Sequence, residues 1–99
     1  MAKSVLAFQT VGKDSYGVAK SASGKWFFRE SVRTAYGWKM TPWTFVTEDS
    51  TIDSDGGRMD VHQFISAGKR ALAKGDKSFI YGFHREVYIL DDVNYRLPA

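Results

Sequence analysis

Lys25, Phe27, Arg29, Ser31 and Arg33 stand at every other position of one aromatic-rich stretch. In an extended strand, alternate residues share a face. One face then carries those five, and the other carries Trp26, Phe28, Glu30 and Val32. A ring set among cations suits one kind of binding chemistry. The ring offers its π-face to a base, and Lys and Arg neutralise phosphates. Lys39 and Trp43 extend the pattern into the next apolar stretch. The residues therefore predict single-stranded nucleic-acid binding through Lys25, Phe27, Arg29, Arg33, Lys39 and Trp43. Ordinary packing, with Lys and Arg stems laid over a neighbouring ring, leaves the same footprint.

A second function fits the same residue types. Tyr, Trp and Arg are the usual anchors of protein interfaces. The alternative is a protein-binding inhibitor or adaptor, of the small stand-alone kind that phages and mobile elements encode. Its contact residues are Tyr36, Trp38, Trp43, Tyr81 and Arg85. Unpaired strand edges and many rings also favour a homodimer.

Other chemistries find little to work with. The chain has two histidines, His62 and His84, and no cysteine. Disulfides, thiolate metal sites and cysteine nucleophiles are excluded, and the histidines lack ligand spacing on a common helix. The acidic stretch from Asp49 to Asp60 invites comparison with a calcium loop. With Thr51 first, Gly56 falls at position six, but His62 takes position twelve, where a bidentate Glu is needed. The stretch reads instead as a solvated loop before a helix. Gly12-Lys13 and Gly24-Lys25 lack phosphate-loop spacing, and no nucleophile elbow is present. The expectation is a non-enzymatic binding protein without metal or cofactor.

The scaffold must be small. Ninety-nine residues suit one domain, 1–99. A hydrophobic share of 43% with 15% aromatic supplies a core. The net charge of +3 is unevenly spread. Residues 1–43 carry seven Lys/Arg against Asp14 and Glu30. Residues 44–60 carry Arg58 against Glu48, Asp49, Asp53, Asp55 and Asp60. Residues 61–77 carry Lys69, Arg70, Lys74 and Lys77 against Asp76. A basic first half and a basic helix thus flank an acidic segment, which suits a polyanion or an acidic partner surface. No apolar run approaches the roughly 18 residues that span a bilayer. The opening Met1-Ala2-Lys3-Ser4-Val5-Leu6 lacks a signal-like apolar stretch. A cytoplasmic location without membrane contact is expected.

The elements follow from periodicity. Strands are predicted at 4–10, 15–20, 25–33 and 38–46, the last interrupted by Pro42, which cannot donate to a ladder. Pro42 marks an edge or a bulge that shifts register by one. Residues 47–57 read as a loop. Val61, Phe64, Ile65, Gly68, Ala71 and Leu72 then recur at helical spacing. Strands at 78–83 and 86–90, joined by a turn at His84-Arg85, complete the order ββββ-α-ββ. This predicts an α+β fold, an antiparallel sheet of five to six strands with one amphipathic helix on one face. Four strands followed by a helix is similar, in topology alone and with no shared motif, to the single-stranded nucleic-acid-binding Whirly and purine-rich-element families.

Overall fold

Phe8, Tyr16 and Val18 leave one face of a sheet apolar, and a single amphipathic helix covers it. The computed structural model describes residues 7–10, 15–54, 57–75, 78–80, 84–90 and 97. Its elements run β1 (Ala7–Thr10), β2 (Tyr16–Lys20), β3 (Trp26–Thr34), β4 (Gly37–Met40), β5 (Thr44–Phe45), β6 (Thr51–Ser54), β7 (Gly57–Asp60), α1 (Val61–Ala73), β8 (Ser78–Ile80) and β9 (His84–Ile89). The main sheet has the order β4-β3-β2-β1-β9-β8, with β5 also paired to β3, while β6 and β7 form a separate hairpin. Every described pairing is antiparallel. The class is α+β, as the periodicity predicts.

The helix forms where the sequence supplies both a stripe and its caps. Val61, Phe64, Ile65 and Gly68 turn inward. Phe64 meets Phe8 with ring centroids 5.6 Å apart, and meets Tyr16 edge-on at 6.2 Å. Asp60 caps the start, its carboxylate accepting from the His62 amide at 2.8 Å. The Lys74 amide donates to the Arg70 carbonyl at 3.1 Å, and Gly75 follows with φ +72°. Gly68 lets the helix sit directly on the sheet, because a Cβ there would overlap the Phe8 ring.

Three expectations are corrected. The predicted strand 38–46 breaks into β4 and β5, which raises the main sheet to seven strands. Ser31 pairs with Met40, but Phe28 pairs with Thr44. One chain thus spends three residues, Thr41 to Trp43, where the other spends two. This is a β-bulge at Pro42. The Thr41 hydroxyl accepts from the Glu30 amide at 3.0 Å, and the Thr41 amide donates to the Glu30 carbonyl at 2.8 Å. Second, β6 and the start of β7 replace much of the predicted loop 47–57, and the paired Ile52 and Met59 of this hairpin are both buried in the helix-side core. Third, His84 and Arg85 are no turn. They belong to β9, opposite Ile80 and Phe79. Among the described residues seven strands precede α1, so the four-strands-then-helix likeness does not hold. Among the described residues no helix is long and apolar enough to cross a membrane.

Candidate interaction site

Strand β3 divides by parity as its sequence requires. Trp26 and Phe28 pack against the helix-side core. Phe27 faces away from the helix, yet it is only 5% exposed. With Ala7, Ala19 and Trp43 it forms a second buried cluster, and Leu90 and Leu97 pack against this. Phe45, opposite Phe27 on β5, closes one side with its ring edge-on at 5.7 Å. Phe27 and Trp43, expected as stacking rings, are therefore covered core residues. Burying such rings away from water is worth about 1.5–3 kcal/mol for a Phe-sized side chain.

Arg29 is held as firmly. Gln9, Gly17 and Arg29 lie in one row across β1, β2 and β3. Nε and Nη2 of Arg29 donate to Gln9 Oε1 at 3.0 and 2.6 Å. Gly17, between them, leaves the path open, since a Cβ there would lie 2.9 Å from the same oxygen. The guanidinium also sits 4.4 Å from the Trp43 ring centroid. It is consumed by packing, where a phosphate contact was expected.

The bulge explains how Trp43 reaches that face. One extra residue flips side-chain parity. Trp43 and Phe45 join Phe27 and Arg29, and before the bulge Met40 and Trp38 join Ser31 and Arg33. The face away from the helix therefore repeats one motif three times. Lys25 Nζ lies 5.7 Å from the Phe45 ring centroid. Arg29 covers Trp43, and Arg33 stands directly opposite Trp38. Aromatic rings attract cations to their faces, so in the Lys25–Phe45 and Arg29–Trp43 rungs of this ladder the alternation that suggested base stacking is cation–ring packing within the chain, while Arg33 and Trp38 are exposed cross-strand neighbours.

The ladder opens at its far end. Beyond Ser31, the described pairing of β3 is with β4 alone. Residues 32–39 are all exposed. The hairpin closes at Thr34 and Gly37, where the Thr34 hydroxyl donates to the Gly37 carbonyl at 2.8 Å and accepts from the Tyr36 amide at 3.2 Å. Gly37 has φ +113°, a conformation that side chains disfavour. Tyr36 stands fully exposed at the tip, with Trp38 40% and Val32 39% exposed beside it. Arg33 and Lys39 supply charge, and no Asp or Glu occurs from Ser31 to Val46. On its outer side β4 has no strand neighbour among the described residues.

The nucleic-acid set thus splits. Phe27, Arg29 and Trp43 come together inside, whereas Lys25, Arg33 and Lys39 are exposed. Lys25 and Arg33 mark opposite ends of β3, roughly 26 Å apart at strand rise. Of the protein-interface set, Tyr36 and Trp38 come together on the arm. Trp43 is 8% exposed and is withdrawn from both sets. Tyr81 lies outside the described residues, and Arg85 lies on β9, away from the β4 end of the sheet order. The Gln9–Gly17–Arg29 row went unread, although a glycine inside a strand signals a close approach. Family models, curated proteins and solved structures yield no match to this chain.

Proposed function

We propose that the chain is a non-enzymatic protein-binding module that engages an acidic surface of its partner through the β3–β4 arm. One observation carries this reading. Tyr36 and Trp38 are presented on a hairpin that has cations and no carboxylate, while Phe27 and Trp43 are covered. Amphipathic rings beside Arg are the side chains that dominate interface energetics, and cations around them steer an acidic partner and reject a basic one. Nucleic-acid binding keeps its exposed cations, Lys25, Arg33 and Lys39, but the rings that supported it are packed away.

The test compares wild type with Tyr36→Ala/Trp38→Ala as bait in extract of the source cell. A stoichiometric protein that binds wild type, elutes with salt and fails to bind the double variant supports the proposal. Equal recovery by both baits excludes the arm. A retained species that is nuclease-sensitive and free of protein restores the nucleic-acid reading.

A further inference from the structure

The outer face of α1 carries a second, separate feature. His62, Gln63, Ser66, Lys69, Arg70 and Lys74 are all exposed. At about 100° per residue they fall within an arc of roughly 140°. No Asp or Glu occurs between Val61 and Gly75. His62, Gln63, Ser66 and Arg70 line a surface depression of about 550 Å³. All four lining residues are polar types, which sets the depression apart from the apolar-aromatic arm.

Charge is graded along this depression. At its N-terminal end, His62 Nε2 donates to the Thr47 carbonyl at 2.9 Å. The acidic Glu48 and Asp49 follow Thr47 in sequence, and Asp60 caps the helix there. Arg70 lines its C-terminal end, and the exposed Lys69 and Lys74 stand on the same helix face outside the lining. Lys69 Nζ lies 5.8 Å from the Trp26 ring centroid. The helix dipole places about half a negative charge at this end, and three cations outweigh it. Formal charge along this face is therefore positive toward the Arg70 end.

We infer that this depression is a phosphate-binding site. The Arg70 guanidinium presents a planar fork of donors that matches phosphate oxygens in pairs. Ser66, one turn earlier on the same face, adds a hydroxyl donor, and Lys69 and Lys74 supply point charges. The ligand is a phosphate group, either of a free oligophosphate or of a nucleic-acid backbone. The site is independent of the arm and acts whether or not a protein partner is engaged there.

Titration of the ¹⁵N-labelled protein with sodium pyrophosphate, at ionic strength held constant with chloride, tests the inference. Amide shifts at Gln63, Ser66 and Arg70 must saturate. Arg70→Gln, a change on an exposed face, must weaken binding by about tenfold or more, and Tyr36→Ala/Trp38→Ala must leave it unchanged. A parallel titration with short oligothymidylate separates the sources. Shifts of the same amides at lower concentration identify a nucleic-acid backbone, whereas a response to pyrophosphate alone identifies a free oligophosphate. Shifts that fail to saturate with either probe, or an Arg70→Gln protein that binds as wild type, overturn the assignment.

Discussion

The guanidinium of Arg29 lies 4.4 Å from the centre of the Trp43 ring and donates two hydrogen bonds to Gln9 Oε1. Gln9 is itself buried, so its carbonyl depends on this donor. Arg29→Ala should cost about 1–3 kcal/mol, because a buried acceptor loses its partner. Arg33→Ala, four residues along on the same face but exposed, should stay within about 0.5 kcal/mol. Urea denaturation of both variants checks the contrast. Equal, small losses would show that Arg29 is as free as Arg33.

Phe27 and Tyr36 should behave as opposites. Phe27→Ala removes a ring from a closed cluster and should destabilise by about 3–5 kcal/mol. Tyr36→Ala removes a fully exposed side chain and should change stability by less than about 0.5 kcal/mol. Thermal melts of the two variants, followed by circular dichroism, measure the difference.

That contrast was half legible beforehand. Alternation along Lys25 to Arg33 separates Trp26 and Phe28 from Phe27, because a strand has only two faces. What covers Phe27 was not legible. Its cover comes from Ala19 on the neighbouring strand and from Ala7, Trp43, Leu90 and Leu97, which are distant in sequence. Trp43 joins them only because the bulge reverses its side-chain direction. Pro42 announced that bulge without revealing which way the register moved. The β6–β7 hairpin hid behind its acidic composition, although Asp55-Gly56 is a recognised hairpin dipeptide. Among its described residues, Ile52 and Met59 enter the core. The arm was visible as residues but not as an arm, since exposure depends on where β2 stops pairing with β3.

Gly68 should tolerate no enlargement. Gly68→Ala sets a methyl group into the Phe8 ring, and overpacking of this kind costs about 1–3 kcal/mol. The higher helix propensity of Ala, about 1 kcal/mol in its favour, offsets only part. A calorimetric melt should show a lower transition temperature than wild type. An unchanged or raised value would mean that α1 does not rest on Phe8.

The double variant Tyr36→Ala/Trp38→Ala should lose affinity without losing fold. If each ring contributes about 2 kcal/mol, as interface anchors do, and the two add, loss of both approaches about a thousandfold. Isothermal titration with the isolated partner measures it, beside a denaturation curve that should match wild type. Raising salt should weaken the wild-type complex, through Arg33 and Lys39.

Placement of a photo-cross-linking amino acid at position 36, in the source cell, addresses the arm most directly. The same amino acid at position 23, exposed in the β2–β3 turn, serves as the control. Contact through the arm predicts a discrete, light-dependent, nuclease-resistant protein adduct from position 36 and none from position 23. Adducts of equal yield from both positions, or an adduct at position 36 made only of nucleic acid, would contradict it.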